Sequence, residues 1–546
     1  MIGLRELRIP AATSWDKAGE CRLPEITHYS IADDCLRGDP AHAAIVEVSD
    51  GEVVTLTYAK LDARSARFAN FLVEAGLEPG DRVGIKLSQS IDMAVVVLGV
   101  LRAHGVVVPL SNVLAPGALH HRLDDSEPRF LVALGSADER ALLTGRSTSL
   151  IPVEPGAPGE TSLVSIVASG PTTYEPRTPG RADEHAIILY TSGTTGKPKG
   201  VLHGHRFLIG HHAIDFAWDG VRPNDVAYSP VDWTWAGGLM LGLLVPLAYG
   251  VTVVAHREQR FDAARCVDVM RRTRVSIGLL PPTVLRMLRA AEALDAATVG
   301  ASDLRCFITG AEAVEPELIE WTESIGLSVN NAYGQTEANS LVGHAATLGR
   351  LDLATMGRPY PRHEIAVLND DLEPCEPGVP GQLAVRADDL VCMIGYWRAP
   401  QATEQKVRKG WLLTGDTAHV NNDGTLSFHG RSDDIIKSGA YRLGPAEIEA
   451  AVLRLAAVKE CVAVGVPDPI RGQIVAAVVV LRPGESPTDE LTAEIRESVR
   501  EGVGAHAYPR EVRYVDALPR TTTGKVDRAT IRRSVSAPAA DEKADP

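Results

Sequence analysis

The chain has no Cys-x-x-C pair, no basic excess, no secretory leader pattern and no internal repeat, and each absence removes a class of function. Its seven cysteines, Cys21, Cys35, Cys266, Cys306, Cys375, Cys392 and Cys461, are scattered singly over 546 residues. An odd, dispersed set reads as reduced thiols in a cytosolic protein, not as a disulfide framework. Lys plus Arg total 55 against 70 for Asp plus Glu, a formal charge of −15, which argues against nucleic acid or an anionic membrane as partner. Any polyphosphate must therefore be held by local basic groups. The N-terminus, Met1-Ile-Gly-Leu-Arg-Glu-Leu-Arg8, is too charged for a secretory segment. Residues 233–255 carry no charge, a length that suggests a membrane span. Gly237, Gly238, Gly242, Pro246 and Gly250 instead divide the stretch into a short buried helix and a strand, Val251-Thr-Val-Val254. His203, His205, His211 and His212 have no carboxylate or cysteine at ligand spacing beside them and read as a loop and helix face, not a metal site.

What is present describes a large two-part protein. A chain of this length exceeds what one core holds, and 45% hydrophobic with 23% charged residues is an ordinary globular composition. Apolar spacing predicts a helix over 61–75, a strand over 83–87, a buried helix over 93–101 and a strand over 105–109. Residues 150–181, rich in Pro, Gly, Ser and Thr, read as an irregular connection. Strands over 251–255, 275–280, 306–309 and 327–330 alternate with helical segments such as 315–325, which predicts α/β layers with largely parallel sheets. From Ile365 the pattern changes to short strands, with an Asp423-Gly424 hairpin signal between 418–420 and 425–428. A helix over 447–455, strands over 461–466 and 474–481, and a helix over 491–499 follow. The expected division is a large domain over 1–431 that ends in a small antiparallel unit, a smaller α+β domain over 432–533, and a disordered tail over 534–546.

The chemistry centres on Tyr190-Thr-Ser-Gly-Thr-Thr-Gly-Lys-Pro-Lys-Gly200, which follows the apolar run Ala186-Ile-Ile-Leu189. Gly193, Gly196 and Gly200 let the backbone come close to a ligand. Thr191, Ser192, Thr194 and Thr195 offer hydroxyls, and Lys197 and Lys199 offer charge, a set that suits a polyphosphate. It is not a Walker loop, because Thr191 stands where the first Gly belongs and Pro198 where Ser or Thr belongs. Nor is it a nucleophile elbow, since Tyr190 occupies the Gly position before Ser192. Three further segments have the same character: Asn331-Ala-Tyr-Gly-Gln-Thr-Glu337; Gly410-Trp-Leu-Leu-Thr-Gly-Asp416 through Gly430-Arg-Ser-Asp-Asp-Ile-Ile-Lys437 to Tyr441-Arg442; and Pro519-Arg-Thr-Thr-Thr-Gly-Lys525.

In this order, from about Leu56 to Arg532, the four segments resemble the adenylate-forming superfamily of acyl-CoA synthetases, peptide-synthetase adenylation domains and firefly-type luciferases. The resemblance implies an ATP-dependent ligase that makes an acyl-AMP and then an acyl-CoA thioester, with ATP, Mg2+, coenzyme A and a small carboxylic acid as partners, in the cytoplasm. It leaves a homo-oligomer open. The 191–199 loop would contact the β- and γ-phosphates, Thr336 the α-phosphate, and Glu337 with Thr194 the magnesium ion. Gly310, Ala311, Glu312, Asn331, Ala332 and Tyr333 would surround adenine. Asp416 would take the ribose hydroxyls, with Arg431 and Arg442 at ribose and phosphate. Lys525 would supply the ammonium for adenylation, carried by a mobile small domain that turns about Asp433. Gly439, Ala440 and Tyr441 would line the pantetheine route, where many relatives carry Ser-Gly before Tyr-Arg; a Cβ at Ala440 narrows it.

For the acyl pocket, Gly334 stands where acetate-specific relatives carry a Trp, which suggests room for a longer acid. The segment from Trp233 through Trp235 to Gly237 resembles the pocket wall of short- and medium-chain acyl-CoA synthetases; core packing is the other reading of its tryptophans. A separate carrier protein as acyl acceptor is the alternative to CoA, and a nucleotide-binding regulator without chemistry is the non-enzymatic one.

Overall fold

Alternation of apolar strands with amphipathic helices dictates layers, because a strand buried on both faces needs a helix on each side. The computed structural model describes residues 2–7, 15, 25–49, 51–176, 180–191, 198–256, 258, 260–312, 314, 316–346, 355–431, 434, 436–438, 441–468, 472–504, 507–520 and 526–536. For Lys437, Tyr441, Arg442, Glu447 and Gly472 it gives the backbone alone. The chain forms two compact units, Met1–Ile365 with Val385–Leu412, and Ala366–Ala384 with Leu413–Pro546.

The first unit is built on two sheets. In one, the parallel strands Arg82–Lys86, Val106–Pro109, Phe130–Ala133 and Ser149–Pro152 continue through His185–Thr191 to the antiparallel Lys199–Gly204 and Gly395–Tyr396. The other runs from the hairpin Ala43–Ser49 and Glu52–Thr57 through Thr252–Ala255, Val226–Tyr228, Ile277–Leu279, Cys306–Gly310 and Ser328–Gln335 to Ala338–Gly343 and Arg358–Pro359. Its central pairs are parallel and its two ends antiparallel. Helix Tyr58–Glu74 starts at the Thr57 cap and helix Ile91–Arg102 at the Ser90 cap, each hydroxyl taking an N–H of its first turn. The second of these helices is buried from Met93 to Leu101, as an apolar sequence without a polar face requires.

The uncharged stretch 233–255 is short helical turns, Ala236–Leu239, Met240–Leu244 and Val245–Tyr249, and then the strand Thr252–Ala255. Gly250, left-handed at φ +76°, ends the helical part. Among the described residues no helix is long and apolar enough to cross a membrane. The expected irregular connection is partly ordered: helix Leu163–Ala168 forms because Ser162 and Ser165 cap each other, a pattern hidden inside a serine-rich composition.

In the second unit, Trp411–Val420 pairs antiparallel with Leu426–Arg431 around the expected Asp423-Gly424 turn. A sheet of Ile436–Ser438, Tyr441–Leu443, Val458–Asp468, Gly472–Leu481 and Glu511–Tyr514 carries the helices Pro445–Leu453, Asp489–Gly502 and Arg528–Ser536. Alternation along Val458–Asp468 sends Cys461 and Ala463 to one apolar core and Val462, Val464 and Val466 to another. The last helix is tied in by charge. Arg528 pairs with Glu449 at 2.7 Å, and Arg532 with Asp434 at 2.7 Å.

Candidate active site

In the first unit the phosphate-loop candidate is the connection of a hairpin, Thr191 facing Lys199 and Tyr190 facing Gly200. Ser192, Gly193, Thr194, Thr195, Gly196 and Lys197 lie outside the described residues. Both stems are anchored. The Tyr190 hydroxyl donates to Asp125 Oδ2 at 2.6 Å with the Arg122 guanidinium over its ring, and His121 Nε2–H donates to the Pro198 carbonyl at 3.0 Å. Burial, and next the Asp125 carboxylate, push the Tyr190 phenol well above its usual range, so it is a permanent donor. Gly200 is a close approach, since a Cβ there would lie 2.8 Å from Ile188 Cγ2.

Thr336 and Glu337 form the tip of a second hairpin, between Gln335 and its partner Ala338. Three bonds hold that tip to the elements beside the phosphate loop. His203 Nε2–H donates to the Thr336 carbonyl at 2.8 Å, Met393 N–H to the Glu337 carbonyl at 2.8 Å, and the Tyr396 hydroxyl to Glu337 Oε1 at 2.6 Å. The Lys199 ammonium stands 5.2 Å from the centre of the Tyr396 ring. His203 is fully buried and stacked on Phe207. Burial lowers its pKa to about 3, so it is the neutral imidazole that makes this bond.

Gly310, Ala311 and Glu312 lie at the carboxyl end of Cys306–Gly310, next to Asn331, Ala332 and Tyr333 on the neighbouring parallel strand. A Cβ on Gly310 would sit 2.1 Å from the Ala332 carbonyl oxygen, and Ala311 is left-handed at φ +67°. The Glu312 carboxylate accepts from Thr283 Oγ1 at 2.9 Å and pairs with Arg286 at 3.4 Å. Sites of α/β sheets open beyond such strand ends. The geometry thus sets the two stems of the 191–199 hairpin, with Lys199 on one of them, beside an acidic hairpin tip and a glycine-lined strand end.

A profile of AMP-binding enzymes matches residues 33–397, and a profile of the AMP-binding enzyme C-terminal domain matches 447–525. The chain belongs to the AMP-binding enzyme family. It is 29% identical over 506 residues to an uncharacterized acyl-CoA ligase, YtcI, of Bacillus subtilis, covering 92% of this chain and 94% of the relative. It is 30% identical over 493 residues to 4-hydroxybutyrate–CoA ligase 1 of Metallosphaera sedula, covering 89% and 86%. ATP-bound MatB from Rhodopseudomonas palustris superposes with a TM-score of 0.83 at 27% identity, over 93% of this chain and 99% of that one.

For this AMP-binding enzyme, the acyl-pocket candidates divide by exposure. The Trp233 side chain has no exposed surface, and Gly242 packs at its indole nitrogen, where a Cβ would stand 3.0 Å away. Trp235 and Gly237 are half-buried, on a turn set by Asp232, which takes Thr234 N–H at 3.0 Å and the Ser111 hydroxyl at 3.0 Å. Gly334 has a second reason to be glycine. A Cβ there would lie 2.3 Å from the Ser340 backbone nitrogen, inside the pinch of the Thr336-Glu337 hairpin. Gly334→Ala is therefore expected to cost about 1–3 kcal/mol in urea unfolding. Gly237→Ala, whose Cβ would meet only Leu279 Cδ2 at 3.4 Å, should cost little. Equal stabilities would refute the pinch as the constraint.

In the second unit Asp416 and Arg431 face each other across adjacent strands, with Arg431 Nε 3.5 Å from Asp416 Oδ1 and the carboxylate almost wholly buried. Arg442 and Tyr441 lie on strand Tyr441–Leu443. Asp433, Gly439, Ala440 and Lys525 lie outside the described residues. Sequence reasoning missed Tyr396 and the role of His203. Tyr396 had no signal of its own, because its place depends on the pairing of Tyr396 with Val201. His203 carried one, the alternation along Val201-Leu-His203, which puts it on a strand face.

Proposed function

We propose that this AMP-binding enzyme is an ATP-dependent carboxylic acid:CoA ligase. The acid's carboxylate oxygen attacks the α-phosphorus of ATP and pyrophosphate leaves. The CoA thiol then attacks the acyl carbon of the acyl-AMP, giving a thioester and AMP. The observation that carries the reading is the bonding of the Thr336-Glu337 tip to the strand leaving the 191–199 loop, through His203 and the 393–396 segment. In-line phosphoryl chemistry needs the α-phosphate and the β,γ-phosphates gripped from one rigid frame, and no protein nucleophile. The acyl-CoA ligase names of relatives matched over most of their length support the same activity.

Thr336 then meets the α-phosphate, Lys199 and the loop hydroxyls the outer phosphates, and Asp416 with Arg431 the ribose. Lys525 supplies the ammonium to the charge that builds on the bridging oxygen. The donor set fits Mg2+, a hard cation that takes one or two carboxylates together with phosphates and water. Glu337 offers such a carboxylate, one oxygen steadied by Tyr396, and Thr194 a hydroxyl. When bound, the ion neutralises phosphate charge. Gly310 to Glu312 and Asn331 to Tyr333 receive adenine, Trp235 and Gly237 border the acyl chain, and Gly439 to Tyr441 border the pantetheine arm. Scattered thiols without a disulfide framework support a cytoplasmic setting for this work.

A panel of aliphatic, branched and aromatic acids, assayed for acid-dependent pyrophosphate exchange and then for AMP release with CoA, tests the reading. Exchange with one acid class, followed by CoA-dependent AMP release, is the expected result. Release that needs a phosphopantetheinylated carrier instead of CoA would transfer the second step to a separate carrier protein. ATP binding without exchange across the whole panel would sink the ligase.

A further inference from the structure

Lys199 and Glu337 are opposite charges at the edge of one site, and a direct ion pair between them would neutralise both. Among the described residues no such pair forms; both side chains turn to Tyr396 instead. A single phenol stands between them, its hydroxyl donating to Glu337 Oε1 at 2.6 Å and its face 5.2 Å from the Lys199 ammonium. We propose that Tyr396 is a positioning residue for the phosphate site, which aims the Glu337 carboxylate at a cation–nucleotide complex and holds the Lys199 ammonium apart from it. The proposal rests on the ATP-dependent reading above and adds a residue to it.

The hydrogen bond lies in the short range of charge-assisted O–H···O⁻ contacts. It fixes one carboxylate oxygen and leaves the other edge for a ligand. The ring offers its negative face to the ammonium, an attraction that costs Lys199 none of its three N–H donors. Geometry of this kind requires a rigid base, and Tyr396 has one. Gly395–Tyr396 pairs with Leu202 and Val201; Ile394 N–H donates to the Leu202 carbonyl at 2.8 Å and Trp397 N–H to the Gly200 carbonyl at 2.7 Å. Tyr396 N–H is taken by Thr403 Oγ1 at 2.9 Å. Further on, Trp397 Nε1 donates to the carbonyl of Asp125, whose carboxylate accepts the Tyr190 hydroxyl at the other stem of the loop. The 393–397 segment therefore bonds one stem and the acidic tip directly and reaches the other stem through Asp125.

The test is nucleotide affinity in the absence of any carboxylic acid, measured by calorimetry on the full chain with Mg·ATP and with ATP in EDTA. Tyr396→Phe keeps the ring and loses the hydroxyl. It is expected to weaken Mg·ATP about 10-fold, the usual scale for a hydrogen bond to a charged group, and to leave metal-free ATP unchanged. In the Glu337→Gln background the same substitution should add nothing. Tyr396→Leu removes the ring as well and should weaken metal-free ATP too, because Lys199 loses its support. Equal losses for both nucleotide forms in Tyr396→Phe, or additive losses with Glu337→Gln, would overturn the assignment. If Glu337→Gln alone leaves the preference for Mg·ATP intact, the reading of the tip as a metal–phosphate site fails. If it removes the preference and Tyr396→Phe does not, only the role of Tyr396 fails.

Discussion

Replacing Lys525 with alanine is expected to slow acyl-AMP formation about 100-fold or more, while thioester formation from supplied acyl-AMP continues at close to the unaltered rate. Charge moves onto the bridging oxygen as pyrophosphate leaves, and a fixed ammonium stabilises that state far more than it stabilises bound ATP. Loss of such a donor therefore appears in the rate of the first step. The second step forms no charge at that oxygen. The residues flanking the 521–525 stretch are tied down: Arg520 bridges to Val526, Asp527 N–H donates to the Pro519 carbonyl at 2.8 Å, and Asp527 caps the last helix through Thr530. Lys525→Arg keeps charge but replaces a compact ammonium with a planar fork, so a partial rate is expected. Pyrophosphate exchange reports the first step and a single turnover from synthetic acyl-AMP the second. An equal fall in both would assign Lys525 to the wrong half of the reaction.

Much of the fold was legible because it rests on local patterns. The helix-and-strand rhythm from Tyr58 to Pro109 follows from apolar spacing and from the Thr57 and Ser90 caps, and the Asp423-Gly424 turn from its own two residues. The stems of the 191–199 loop stood out by residue type, and Thr336 with Glu337 were singled out through the resemblance to adenylate-forming enzymes. What escaped depends on partners far along the chain. Ala43–Ser49 takes its sheet position from Thr252–Ala255, some two hundred residues on, and no feature of 43–49 announces that. Gly334 illustrates a subtler loss. Sequence comparison reads a missing side chain as open space for substrate, whereas the backbone of Ser340 occupies the place a side chain would need. Tyr396 is similar in kind, since a Gly-Tyr-Trp segment comes to lie beside Lys199 and Glu337 only through its register with Leu202 and Val201.

Buried histidines also set the pH range of the first unit. His203, His205, His211 and His212 are at most 1% exposed. Burial lowers their pKa values to about 3, 4, 4 and 3. Each sits neutral on a backbone partner: His203 on Thr336, His211 on Phe207 and His212 on Pro361 as donors, and His205 as the acceptor of Ile31 N–H. An unfolded histidine titrates near pH 6.5. Above that value both states are neutral and stability is full. As the pH falls from 6.5 toward 3–4, the unfolded chain takes up protons that the folded one refuses, and stability is lost throughout that window. The cost is about 1.4 kcal/mol per pH unit for each ring, hence about 2 kcal/mol each, and roughly 8 kcal/mol in total, by pH 5. Typical net stabilities are about 5–15 kcal/mol, so unfolding of this unit should become easy between pH 6 and 5. Paired carboxylates add to this only at lower pH, as with Asp389, which the His363 imidazole at 2.8 Å keeps below the usual range against the cost of burial. Urea midpoints at pH 7.5, 6 and 5, with proton uptake on unfolding measured by calorimetry in two buffers, check the claim. The expected result is a steep fall in midpoint and an uptake of about four protons near pH 5. A flat midpoint from pH 7 to 5 would show that these rings are hydrated or charged in the folded protein, and the bond from His203 to Thr336 would then have to be made by an imidazolium.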